Sequence, residues 1–121
     1  MDVAHLQVAT VAHLRWKSKL ADFFYGLENL TVADVPDHMS CDFGQWLYKS
    51  GLEEFAAYSE MGQVESLHKD FHAAIKRLVQ MPEAERKSPA GKEALSKFKA
   101  QCDEFIRVME QVESQAAKDS I

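Results

Sequence analysis

The stretch Met61–Leu78, MGQVESLHKDFHAAIKRL, decides the fold. Met61, Val64, His68, Phe71, Ile75 and Leu78 recur in steps of three and four, the period of one face of an α-helix, and no strand-like alternation competes. Working outward, Leu95, Phe98, Cys102, Phe105, Met109 and Val112 repeat the pattern towards the C-terminus. Towards the N-terminus Leu6, Ala9, His13, Trp16, Leu20, Phe23, Leu27 and Leu30 do the same, predicting one helix as far as Leu30. Between these stripes, Cys41 to Tyr58 is shorter and interrupted by Gly51, so it reads as one or two short helices with Ser40 as N-cap and Asp42 in the first turn. The segment PEAERKSPAG, Pro82 to Gly91, reads as a surface loop, and the final AAKDSI as a fraying end. Three apolar stripes plus a short helical element bury best in an all-α, antiparallel four-helix-bundle-like domain of three long helices and one or two short ones. Such spacing also permits a coiled-coil dimer of longer rods, but the turn residues favour folding back.

The 121 residues fit a single domain, 1–121, able to bury a core without disulfide staples. Two cysteines far apart in sequence and an N-terminus unlike a signal peptide point to the reducing cytoplasm. No run of apolar residues is long enough for a membrane span, and a net charge of −5 argues against nucleic acid or an anionic lipid surface as partner.

Two stripe positions are wrong for a purely apolar core: His13 and His68. His72 follows His68 by one helical turn, so both imidazoles project from one face and can reach a common metal ion. Taken singly, the pair reads more readily as a core histidine with a surface neighbour, and His13 as a hydrogen-bonded interior histidine, than as ligands. Taken together, inward positions on different helices of a bundle can face each other, and Cys41 opens the short helix where the chain re-enters. Three imidazoles and one thiolate suit tetrahedral zinc. The helix N-terminus at Cys41 is expected to favour the thiolate. Asp22, Asp42, Glu53 and Asp70 are candidate partners for the histidine rings by position, while His5 and His38 read as exposed and outside the site, and Cys102 as a small buried hydrophobe.

HLRW (His13–Trp16), CDFGQW (Cys41–Trp46) and HKDFH (His68–His72), in that order, resemble the signature of the bacterial chemoreceptor zinc-binding (CZB) domain family. The resemblance implies His13, Cys41, His68 and His72 as zinc ligands. It places Trp16 and Trp46 as packing around the site, and Gly44 where a side chain would intrude on a neighbouring helix. It further implies a homodimer regulating a chemoreceptor or a diguanylate cyclase output, with Cys41 as a redox-sensing residue towards oxidants such as hypochlorous acid. A second apolar stripe on the first helix, Val11, Leu14, Ala21 and Tyr25, could face the partner subunit or belong to a broad core.

Catalysis is disfavoured on the residues. Four protein ligands close a tetrahedral zinc, whereas hydrolytic zinc keeps a position for water. Lys69 stands where a gluzincin-type helix needs glutamate, and the last stripe offers Cys102 instead of the further ligands of a di-iron bundle. Two non-enzymatic classes stay open: zinc as a structural staple in an interaction module, or zinc occupancy and the state of Cys41 as the signal.

Overall fold

The computed structural model describes residues 3–119. Three long helices, α1 (Ala4–Phe24), α4 (Glu60–Val79) and α6 (Pro89–Asp119), are joined by the short α2 (Asp42–Trp46), α3 (Leu52–Glu54) and α5 (Glu83–Arg86). Side-chain pairs fix the directions. Gln7 meets Glu113 and Lys17 meets Asp103, so α6 runs antiparallel to α1; Gln115 meets Glu60 while Phe98 meets Phe71, so it also runs antiparallel to α4. Helices α1 and α4 therefore run parallel, with the short helices covering one flank of the bundle.

The stripes bury as the periodicity predicts. All six named positions of α4 and all six of α6 are buried, and Phe71, Phe98 and Phe105 stack in the centre with ring centres 5.4 and 5.7 Å from Phe71. On α1 the stripe holds to Phe23, but the helix stops six residues short of Leu30. Gly26 takes φ +80°, its N–H bonds to the Phe23 carbonyl, and the Leu27 N–H reaches back to the Asp22 carbonyl. Such a left-handed cap ends a helix whatever the downstream pattern. Leu27 is consequently 77 % exposed, whereas Leu30 is buried from the following loop.

Three further expectations are corrected. Gly51 does not break the segment after Cys41: α2 runs through a π-type turn (Leu47–Gly51) into α3, and the missing side chain of Gly51 makes room for the Trp46 ring. The Pro82–Gly91 segment is partly helical. Glu83–Arg86 forms α5, and α6 already starts at Pro89, where proline is favoured and the Ser88 hydroxyl accepts from the Gly91 N–H. The C-terminal end does not fray within the described residues, since Ala116 is fully buried and the Tyr58 hydroxyl donates to Asp119 at 2.5 Å. Ser120 and Ile121 lie outside the described residues. Among the described residues no helix is long and apolar enough to cross a membrane.

The connection between α1 and α2 has no periodicity and is shaped by hydrogen bonds. Asp34 accepts from the Thr31 N–H, and Asp37 Oδ1 accepts from the N–H groups of Met39 and Ser40 at 2.9 and 2.8 Å. Val35 is buried beneath this connection, which delivers Pro36, His38 and Cys41 to the face of α4.

Candidate metal centre

One group of potential ligand atoms stands out among the described residues: one each from His13, Cys41, His68 and His72, all within 4.8 Å of one another. His13 comes from the inward face of α1, His68 and His72 from successive turns of α4, and Cys41 from the residue that precedes α2. The imidazole centres lie 4.6 Å (His68–His72), 5.2 Å (His13–His68) and 5.9 Å (His13–His72) apart. Two imidazoles on one tetrahedral zinc, with Zn–N about 2.0 to 2.1 Å, hold their centres roughly 5 Å apart, so these rings already stand at the spacing that zinc requires. Cys41 Sγ lies 3.2 Å from His68 Nε2.

Hydrogen bonds orient the rings. His13 Nδ1–H donates to the Ala9 carbonyl at 2.6 Å, and His72 Nδ1–H to the Pro36 carbonyl at 2.8 Å. A carbonyl only accepts, so both rings carry their proton on Nδ1 and present the Nε2 lone pair to the cluster. These bonds are the partners that metal-binding histidines need behind them. None of the carboxylates Asp22, Asp42, Glu53 or Asp70 serves in that way, because a carbonyl one turn back on α1 and another in the α1–α2 connection are nearer. His72 Nε2 is buried with no protein partner, and so is His68 Nδ1. A buried, unpaired acceptor is costly, and a cation bound to His72 Nε2 would remove that cost.

The site is apolar outside its ligands. Phe43 of α2 lies 5.0 Å from His68, Phe71 lies 4.9 Å from His13, and Phe105 of α6 lies 5.0 Å from His13. Helix α6 thus supplies a wall and no ligand. Burial pushes the His13 imidazolium down to about 4 and that of His68 down to about 2, with neighbouring imidazoles adding to the effect; His72 is lowered for the same first reason, against the pull of the Pro36 carbonyl. All three rings are therefore neutral at pH 7, the state that coordinates metal.

Cys41, not Ser40, is the N-cap of α2, and its Sγ accepts from the Gly44 N–H at 3.2 Å. The expected thiolate preference is not met by the helix end alone. Burial raises the thiol above its ordinary value, outweighing the Gly44 and Phe43 N–H groups that lower it. A thiolate here needs a cation at the cluster. Gly44 is required, but not by a neighbouring helix: a Cβ there would overlap the His38 carbonyl, in the turn just before Cys41.

Trp16 is half-buried at the rim of a cleft of about 660 Å³ that also touches His5, Val8, His13, Cys41 and His72, and so leads from solvent to the ligands. Trp46 lies further from the ligands. It stacks on His5 with centres 4.8 Å apart and rings 9° from parallel, and touches Phe43, which in turn faces His13 and His68. Cys102 is fully buried on α6, its thiol pushed up to about 12 by that burial. His5 is exposed as expected. His38 is not: it is half-buried, its ring 6.3 Å from that of His68. The carbonyls of Ala9 and Pro36 and the turn at Asp37 went unrecognised in the sequence because backbone acceptors have no residue signature.

The donor set, three neutral imidazoles and one thiol on closely spaced atoms, fits zinc. No curated protein and no solved structure matches the chain. The profile described as chemoreceptor zinc-binding domain, CZB, matches residues 13–79, more than half of the chain and a span containing all four clustered residues. The chain belongs to the chemoreceptor zinc-binding domain family.

Proposed function

We propose that the chain is a zinc-binding regulatory domain in which His13, His68 and His72, each through Nε2, and Cys41, through Sγ, hold one ion. The observation that carries this reading is the convergence of four ligand atoms within 4.8 Å from three separate elements, with His72 Nε2 buried and otherwise unpaired. When bound, zinc supplies the positive charge that holds Cys41 as a thiolate in a site whose burial alone disfavours it. Four protein ligands leave no position for a reacting water, so the domain regulates and does not catalyse.

The signal is the Cys41 contact. Three ligands stand on helices of 20 and 21 residues locked into the core, whereas Cys41 heads a helix of five residues. Losing the thiolate frees α2 and the turn before it while the long helices stay folded. Hypochlorous acid accomplishes this by passing its chlorine to the sulfur as hydroxide leaves, after which water displaces chloride from sulfur to give the sulfenic acid. The domain acts as a homodimer in the cytoplasm, joined through the exposed Val8, Val11 and Leu14 of α1 and Tyr25 just after it, and passes the change to a chemoreceptor or diguanylate cyclase output. Light scattering that finds only monomer at high concentration would remove the dimer.

A second reading has one observation in its favour. The three histidines are buried among Phe43, Phe71 and Phe105, as a purely structural staple would be. Metal content by mass spectrometry, followed by zinc retention after a stoichiometric dose of hypochlorous acid, separates the two. One zinc per chain with oxidation loosening α2 supports the regulatory reading; a folded protein insensitive to oxidation supports the staple. A chain without zinc sinks both.

A further inference from the structure

We propose that His38 is a reserve ligand, which enters the site when Cys41 leaves it and converts the three-histidine, one-cysteine set into a four-histidine set. This rests on the metal reading above. The His38 ring centre is 6.3 Å from that of His68, with the rings 76° apart. The imidazoles already in the cluster are separated by as much as 5.9 Å, so His38 stands only 6.3 − 5.9 = 0.4 Å beyond a separation the cluster itself contains. It approaches His68, the ring that Cys41 Sγ touches at 3.2 Å, and its own carbonyl lies 3.8 Å from that sulfur.

Three features leave it free to make the exchange. No protein partner holds either ring nitrogen of His38 among the described residues, and the ring rests against Tyr48 at 6.0 Å. Its backbone belongs to the turn that Asp37 ties through Met39 and Ser40, three residues before Cys41, so release of Cys41 loosens the segment that carries His38. Other donors nearby are worse placed. Asp37 already spends an oxygen on two N–H groups of the turn, and His5 is stacked on Trp46. An imidazole replacing a thiolate keeps four ligands of a kind zinc accepts, and removes one negative charge from the set. Loss of the thiol then moves the Asp37–Ser40 turn inward and sets α2 free without emptying the site, so the output reads a loop exchange and not metal departure.

The test is a double-mutant cycle on the intact chain: wild type, His38→Ala, Cys41→Ala and the double variant, with zinc affinity measured by chelator competition and coordination read from the cobalt-substituted spectra. Cys41→Ser, which keeps an acceptor for the Gly44 N–H, is the second thiol-less background should Cys41→Ala lose helicity. Expected is a wild-type-like affinity for His38→Ala, within about threefold, and one weaker zinc in Cys41→Ala. In the double variant affinity falls at least about tenfold further, with the four-coordinate cobalt absorption of Cys41→Ala replaced by the weak absorption of a hydrated ion. Equal affinities and equal spectra for Cys41→Ala and the double variant overturn the exchange while leaving the metal reading intact. A wild type that binds no zinc overturns both.

Discussion

Replacing Gly44 by alanine sets two effects of known sign against each other. Alanine is the better helix former by about 1 kcal/mol, which on its own would stabilise α2. The added Cβ, however, would overlap the His38 carbonyl and press on the Met39 Cα at 3.3 Å, and both are backbone atoms that cannot rotate away. Relief requires the His38–Ser40 turn to move by roughly 1 to 1.5 Å, an overpacking cost of about 1–3 kcal/mol that matches or exceeds the helical gain. The net loss of up to about 2 kcal/mol corresponds to a melting point up to about 10 °C lower for a chain of this size. The same movement carries Cys41, which follows that turn directly and stands 3.2 Å from His68 Nε2. Ligand constellations tolerate about 0.5 Å, so the thiol falls out of reach. Gly44→Ala should therefore match Cys41→Ala in zinc affinity, lose the thiolate-to-metal charge-transfer band of the cobalt form, and keep its far-ultraviolet helicity. A Gly44→Ala protein that retains the charge-transfer band, with zinc affinity within about twofold of wild type, would show that the turn yields without moving Cys41, and the reasoning fails.

Acidifying the metal-free protein should destabilise it. His13 is held near 4 when folded but titrates at 6.5 when unfolded, so below 6.5 the unfolded state binds the extra proton. Stability is full above pH 6.5 and declines as pH falls towards 4, by about 2 kcal/mol between pH 8 and pH 5 from His13 alone, with His68 adding in the same direction. Urea titrations at the two pH values check this, and unchanged or rising stability at pH 5 contradicts it. Iodoacetamide should label Cys41 in the folded, metal-free chain and spare Cys102, whose thiol is fully buried and pushed up to about 12; peptide mapping that finds equal labelling of both refutes the assignment. Phe105→Ala removes a fully buried ring that touches His13, His68 and Phe71, and should cost about 3–5 kcal/mol in chemical denaturation, measured equally in metal-free protein.

What was legible in the sequence is what depends on neighbours three or four residues away. The stripes from Met61 to Leu78 and from Leu95 to Val112 are periodic throughout and are buried throughout. The α1 stripe misled at its end because Leu27 and Leu30 continue the period by coincidence, while a single glycine in the left-handed region had already closed the helix. His68 and His72 declare a shared face by spacing alone. His13 and Cys41 do not: an inward stripe position and the start of a short helix make them candidates, and the family resemblance names them together with the pair. The cap shows the same limit. Serine is the usual N-cap, but the connection places Cys41 there, and burial beside His68 reverses the thiolate preference that a helix end would otherwise confer.

The connection from Thr31 to Cys41 is where local reading runs out, and it carries what makes the cluster a site. Without the Pro36 carbonyl His72 has no fixed tautomer, and without the Asp37 turn neither His38 nor Cys41 reaches α4. A bundle with the same stripes and a different connection would bury the same phenylalanines around three core histidines and coordinate nothing through sulfur. The long helices therefore determine where a metal could sit, and the eleven residues from Thr31 to Cys41 determine whether a thiol stands beside it, the ligand that comes and goes in the proposed function. A regulatory role requires that division, because a ligand held as rigidly as His68 could not report a change without unfolding the core.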